Sequence, residues 1–215
     1  MPPVWSVADE PSNAAAQGLN VRGWVQALRE RAPGIKLGAQ LNSAADRELA
    51  PLFDVAIINQ GFGIDAATIS TLKSRGPDVW LYNTGAYRAT AGLWLWLTDA
   101  SRYVQWHARM PAADPFDPLD GREADVQIFM PSAEACPVQP NLSRAIFDMA
   151  DGVTDQRWLL WLDTQHTAEA ETLARDLRSK IHGLFSEAAA LSGRDLDAIR
   201  GSIIDLARKT KTTGL

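Results

Sequence analysis

The sequence predicts an α/β fold: part of a parallel (β/α)8 barrel of the TIM type, with about five β/α units and a helical C-terminal tail. Three observations predict it. Short apolar runs alternate with amphipathic stretches over the first two-thirds of the chain. The runs are rich in β-formers and nearly continuous in apolar character, as strands buried on both faces of a parallel sheet are. Polar residues gather where the runs end, at Asp9, Glu10, Asn42, Asn59, Asn83 and His107, and the C-terminal strand ends are where such a barrel builds its active site. A doubly wound open sheet obeys the same end rule and is the alternative. No Gly-x-Gly-x-x-Gly loop is present, which lowers its nucleotide-binding version.

Each element follows from local signals. Val4 to Ala8 is a strand stopped at Asp9-Glu10-Pro11, because proline cannot donate to a sheet ladder. Ser12 and Asn13 are good N-caps for a helical pattern through Val21, Val25, Leu28 and Arg31, closed by Pro33-Gly34. Ile35 to Leu41 reads as the second strand, and Asp46 to Phe53 as a helical turn. Asp54 to Ile58 is the third strand, and Ile64 to Lys73 a helix stopped by Gly76-Pro77. Val79 to Tyr82 is the fourth strand, Arg88 to Leu97 a helix, and Tyr103 to His107 the last clear strand. Pro111 to Pro140 is rich in Pro, Asp and Gly and too long for a simple connection, as lids and binding loops are. Ser143 to Leu162 is a strong helix with Ile146, Met149, Val153, Leu159 and Leu160 toward its buried side and Gly152 as an interruption. Ala168 to Lys209 reads as two amphipathic helices split near Ser192-Gly193. With no repeat or linker, residues 1–215 form one domain, with tail helices at 168–209.

The bulk numbers fit a globular domain: 215 residues, 46% hydrophobic and 22% charged. The formal net charge of −5 argues against nucleic-acid binding, which needs clustered Lys and Arg. No stretch approaches the roughly 20 apolar residues of a membrane span, so no membrane partner is expected. Met1-Pro2-Pro3-Val4-Trp5 shows neither the basic start nor the apolar run of a signal peptide, and the compartment is left open. The single cysteine, Cys136, reads as a small buried hydrophobe. Three scattered histidines and no cysteine set spell no metal site, and no cofactor is expected. Eight tryptophans fit a carbohydrate site without proving one, since indole faces stack on sugar rings and also fill cores.

The sharpest local feature is Asp9-Glu10 at the mouth of a buried strand. Two adjacent carboxylates there repel, which poises one of them as a general acid. The competing explanation is an N-cap with a first-turn acid, favoured by the helix dipole. Around the pair, Arg88 could make a bidentate contact with substrate or Asp9, or be a helix-start surface arginine. Trp106 could stack on a sugar or fill the barrel core, and His107 could bind a hydroxyl or be structurally bonded. Tyr87 could assist a bound group or cover the site, and Asp114 could bind hydroxyls or cap a turn. Asn42 and Asn59 sit at strand ends, where asparagine is also common for turn reasons.

Taken in order, these pieces resemble the catalytic domain of glycoside hydrolase family 123 and its barrel relatives. Asp9-Glu10-Pro11 is similar to that family's Asp-Glu-Pro motif. Arg88 followed by Gly92-Leu93-Trp94-Leu95-Trp96 is similar to its Arg and Trp-rich helix. Tyr103-Val104-Gln105-Trp106 resembles the following strand, Asp114-Pro115 the Asp-Pro loop, and Ala150-Asp151-Gly152-Val153-Thr154-Asp155 a late helix. The resemblance covers nearly all of this chain but only the C-terminal half of the family's barrel. It implies retaining hydrolysis of 2-acetamido sugars, in which the substrate's own acetamido oxygen is the nucleophile, an exception to the two-carboxylate scheme. It further implies that Asp9 holds the acetamido N–H while Glu10 acts as acid and then base. Ala150 stands where the family has a second arginine, and Phe129-Met130-Pro131-Ser132 where it has a Tyr-Pro-Gly-like turn, so the sugar stays open.

Two functions follow as expectations: a hexosaminidase-like glycosidase, or a non-catalytic fragment that binds carbohydrate or a partner chain. Five units do not close a barrel of eight strands. A partial barrel leaves strand edges bare, so oligomers, or a partner chain that completes the barrel, are expected, with weak or no activity from the chain by itself.

Overall fold

The computed structural model describes residues 3–12, 20–105, 109–110, 126–127, 129–130 and 141–213. Five strands form one sheet in the order β1-β2-β3-β4-β5: β1 (Val4–Asp9), β2 (Lys36–Leu41), β3 (Val55–Ile58), β4 (Asp78–Tyr82) and β5 (Arg102–Val104). All four pairings are parallel. Strand order never reverses, so the sheet has no topological switch point of the doubly wound kind. Its two faces differ as well. Leu37, Ala39, Leu41, Ala56, Ile58, Val79 and Leu81 join one core cluster with the apolar residues of every long helix. The opposite face carries a small cluster of Val55, Ile57 and Tyr82, with Val4 and Trp80 against it. A sheet clothed by helices on one side, with strands in sequential order, is the arrangement of a partial β/α barrel, and the opposite face is what would line its interior.

Helix α1 (Val21–Arg31) starts at Asn20, whose side chain accepts from the Gly23 backbone at 2.9 Å, later than the expected start at Ser12 and Asn13. Residues 11–12 are helical, and 13–19 lie outside the described residues. Two 3-10 segments, Ala44–Glu48 and Ala50–Leu52, replace the single turn expected over 46–53. Helix α2 is Ala66–Ser74. Helix α3 covers residues 87–98 and contains a π-helical stretch, Thr90–Trp94. Trp94 is fully buried at its centre and donates to the Ile64 carbonyl at 3.1 Å. After β5 come two-residue strands, β6 (Arg109–Met110) with β7 (Val126–Gln127) and β8 (Phe129–Met130) with β9 (Asn141–Leu142), both pairs antiparallel. The tail holds α5 (Ala168–Ser179), α6 (Phe185–Ala189) and α7 (Gly193–Thr213), one helix more than expected, because Gly183 takes a left-handed φ of +81° and breaks the chain there.

Helix α4 (Arg144–Asp163) corrects two expectations. It runs unbroken through Gly152, and its buried stripe is Gly152, Asp155, Leu159 and Leu162. Val153 and Leu160, expected inside, are 45% and 50% exposed. The helix is turned so that two small residues meet: Gly152 lies against α3, where an added Cβ would stand 2.6 Å from the Arg88 carbonyl and 2.8 Å from the Ala91 Cβ. Gly92 faces back at Gly152, where an added Cβ would stand 2.9 Å from the Gly152 carbonyl oxygen. Hydrophobic periodicity cannot report a contact made by backbone. Gly152→Ala is expected to cost about 1–3 kcal/mol through overpacking, read as a fall in urea midpoint; an unchanged midpoint would show that the two helices can part.

Candidate functional site

The site is built at the C-terminal tips of the strands. Asp9 ends β1, where it lies opposite Gln40. The same cross-strand row continues through Ile57, Trp80 and Arg102, which places Asp9 on the sheet face that the helices leave uncovered. A register shift between Ser6 and Ala8 puts it there. Without that bulge the alternation of side chains would send Asp9 to the other face. Glu10 follows with a left-handed φ of +52°, a conformation that non-glycine residues adopt only where the surroundings enforce it. Its backbone N–H donates to the Gln40 carbonyl at 2.9 Å. Asp9 is exposed, Glu10 half-buried and Pro11 buried. The pair therefore stands at a strand end and a turn of positive φ, with helical residues 11–12 directly after it.

Tyr82, which sequence reasoning passed over, completes this end of the sheet. It closes β4 on the face shared by Asp9, one same-face position beyond Trp80. Its side chain is 5% exposed, and its hydroxyl has no hydrogen-bond partner among the described residues. Burial pushes its phenol up to about 12, reinforced by the fields of Glu10, Asp9 and Asp46. The fields of three carboxylates thus add to burial in keeping this phenol neutral. A buried unpaired hydroxyl costs about 1–3 kcal/mol, and such groups are characteristic of ligand sites. Tyr82→Phe is expected to raise the stability of the ligand-free protein by about 1 kcal/mol, measured by urea unfolding; a loss of stability would mean that the hydroxyl is satisfied within the protein.

Tyr103 is also pushed up to about 12, by burial and by neighbouring Tyr87, against the opposing hydrogen bond from Thr84. Both phenols are neutral in folded and unfolded chains below about pH 10. Between about pH 10 and 12 the unfolded chain sheds protons that the folded chain keeps, so stability present below pH 10 is lost as pH rises toward 12. Tyrosinate absorbance should show Tyr82 and Tyr103 ionising late and together with unfolding. Ionisation of all three tyrosines near pH 10 in a folded chain would contradict this.

A buried carboxylate ties the mouth together. Asp46 is 0% exposed. Its Oδ1 accepts from the Ser12 backbone at 2.7 Å, and its Oδ2 from the Asn42 and Ser43 backbones at 3.2 Å each. The next residue, Arg47, donates to the Phe62 carbonyl from Nε at 3.3 Å and Nη2 at 2.9 Å.

The other expected residues divide. Asn42 stands at the tip of β2, and its carbonyl packs so closely on Gly61 that a Cβ there would lie 2.1 Å away. Asn59 stands at the tip of β3, but its Oδ1 accepts from the Gly61 and Phe62 backbones at 3.0 and 3.3 Å, so its side chain builds the turn. Tyr87 is half-buried at the start of α3, after a loop in which Asn83, Gly85 and Ala86 all have positive φ. Arg88 is neither a surface residue nor a partner of Asp9. Its Nε donates to Asp155 at 2.7 Å, its Nη2 to Asp197 at 2.8 Å and its Nη1 to the Gly193 carbonyl at 3.3 Å. Burial opposes its charge, yet the bonds and fields of Asp155 and Asp197 raise its pKa above the ordinary arginine value. The guanidinium is committed to the junction of α3, α4 and α7. Trp106, His107 and Asp114 lie outside the described residues. Among the described residues, no group of three or more His, Cys, Asp and Glu could hold a metal ion, and no helix is long and apolar enough to cross a membrane.

No protein-family model matches the sequence, and no curated protein matches it. Among solved structures, the chain is similar to a family 123 glycoside hydrolase from Clostridium perfringens studied for glycolipid glycan hydrolysis. The TM-score is 0.64 with 10% identity, over 97% of this chain and 42% of that one. The likeness is one of fold, and the chain spans 42% of that protein's length.

Proposed function

We propose that the chain carries the catalytic strand ends of a glycoside hydrolase acting on 2-acetamido sugars. The observation that supports this best is the acid pair, Asp9 and Glu10, at the tip of β1 on the uncovered face, with the buried Tyr82 phenol beside it. In this reading the acetamido oxygen of the substrate attacks its own anomeric carbon, and the glycosidic C–O bond breaks. Glu10 gives its proton to the leaving oxygen, while the Asp9 carboxylate accepts from the acetamido N–H and offsets the positive charge of the cyclic intermediate. Glu10, now a carboxylate, takes a proton from water; the water oxygen bonds the anomeric carbon and the ring opens with retained configuration. Neither acid has to act as nucleophile, so they need not face each other across the sugar. Adjacent residues suffice. The Tyr82 hydroxyl donates to a substrate oxygen, which satisfies it in the complex. Asn42, Tyr87, Trp106, His107 and Asp114 belong to the same reading as contacts to sugar, while Asn59 shapes the turn beside them.

The test is release of chromophore from N-acetyl-galactosaminide and N-acetyl-glucosaminide substrates, with Glu10→Gln as control. Saturable turnover, weak for the chain by itself and lost in the variant, is the expected result; equal turnover by the variant overturns the mechanism. A second reading has its own support. The chain spans 42% of its structural neighbour, and among the described residues β1 and β5 are the end strands of the five-stranded sheet, with Trp5 on β1 60% exposed. A non-catalytic module that binds carbohydrate, or pairs with another copy or chain along those edges, predicts sugar binding without turnover and a mass above the monomer in light scattering.

A further inference from the structure

We propose that Asp46 is a positioning residue for the acid pair, a clamp that holds the turn carrying Asp9 and Glu10 against the tip of β2. In naming the pair it serves, this rests on the glycosidase reading. The capping role of Asp46 uses one oxygen: Oδ2 accepts from Ser43, closing the box at the start of the 3-10 segment Ala44–Glu48. The second oxygen is not needed for that cap. It reaches across 34 residues to the backbone of Ser12, at 2.7 Å the shortest of the three contacts. Ser12 lies two positions after Glu10, whose φ of +52° must be imposed by its surroundings. Glu10 is anchored on the near side by its N–H on the Gln40 carbonyl and on the far side by Asp46. Gln40 and Asn42 belong to the same strand tip, so one carboxylate fixes the β1 mouth relative to the β2 mouth. Charge-assisted bonds to backbone N–H groups are about twice as strong as neutral ones, and burial removes competing water.

Amide hydrogen exchange in the full chain tests the clamp without requiring turnover. In Asp46→Asn the amides of Ser12, Asn42 and Ser43 should exchange at least about tenfold faster, because an Nδ2 donor then faces N–H donors. Ala56 and Ile58 in β3 should stay protected. Ser43→Ala, which removes the hydroxyl that caps Ala45 but keeps Asp46, should leave Ser12 slow. Unchanged exchange at Ser12 in Asp46→Asn overturns the proposal, as does equal release in Ser43→Ala, or loss of protection at Ala56 and Ile58 together with Ser12. Kinetics add a readout that a general loss of stability would not split: kcat should fall tenfold or more in Asp46→Asn with KM within threefold, while Ser43→Ala keeps both. A kcat within twofold of wild type would remove the link to the acid pair. A wild-type chain with no turnover would favour the non-catalytic reading and leave the clamp to be decided by exchange.

Discussion

Replacing Asp155 with alanine is expected to destabilise the protein by about 3–5 kcal/mol, the largest single-residue loss anticipated for this chain. Asp155 is 6% exposed and stands between two arginines. Arg88 approaches its two oxygens at 2.7 and 3.4 Å, and Arg200 donates from Nε to Oδ1. Arg200 also holds the Asp151 carbonyl and carboxylate at 3.1 and 3.2 Å, which ties α7 to α4. With the carboxylate gone, two guanidinium groups whose side chains are 11% and 21% exposed would face each other without their shared anion. Burial and the charge of Arg88 oppose the charge of Arg200, and the bonds and fields of Asp155 and Asp151 outweigh them and hold its pKa above the ordinary arginine value. The cost is therefore the loss of a buried anion shared by two arginines, each left with a more exposed partner, Asp197 for Arg88 and Asp151 for Arg200. For a chain of this size each kcal/mol shifts the melting temperature by about 2–4 °C, so a drop of roughly 10 °C is anticipated by thermal melt. A drop under about 2 °C would mean that water enters and solvates the arginines. Asp155→Asn, which keeps shape and one acceptor oxygen, should fall between wild type and alanine.

Glu10→Gln is expected to lower kcat by about 10²–10⁴, the range over which a positioned general acid-base acts. The variant keeps volume and hydrogen-bonding reach and leaves the backbone bond to Gln40 in place, so its circular dichroism and melting temperature should match wild type. KM should move little, because the proton is needed on the way to the transition state more than for binding. Substrates with better leaving groups should suffer less, since they need less proton donation. Unchanged kcat, or an equal loss for good and poor leaving groups, would take the acid role away from Glu10.

Two clusters of sequence features that looked alike divide in the structure. Asp9-Glu10 ends a strand, with Asp9 exposed and Glu10 half-buried. Arg88, Asp151, Gly152 and Asp155 carry equally distinctive residue types, yet they join helices α3, α4 and α7 away from the acid pair. A charged residue that recurs at a fixed place in a motif can hold a scaffold as well as do chemistry, and spacing does not separate the two. Asn59 makes the same point at smaller scale, since its position at a strand tip was legible but its commitment to the Gly61 and Phe62 backbones was not.

What the residues determine by themselves is local. Strand starts and stops, the parallel character of the β1 to β5 runs, most helices and the placement of acids at strand ends follow from periodicity, proline and glycine, which act on near neighbours in the chain. Tertiary structure alone decided that the helices clothe a single face, that α4 turns Gly152 rather than Val153 inward, that Tyr82 lies buried beside Asp9 and Glu10, and that Asp46 bonds Ser12. These depend on residues 34 to 73 positions apart in the chain. Their energies come from burial and from hydrogen bonds formed in the absence of water, quantities that exist only once the chain has closed around them.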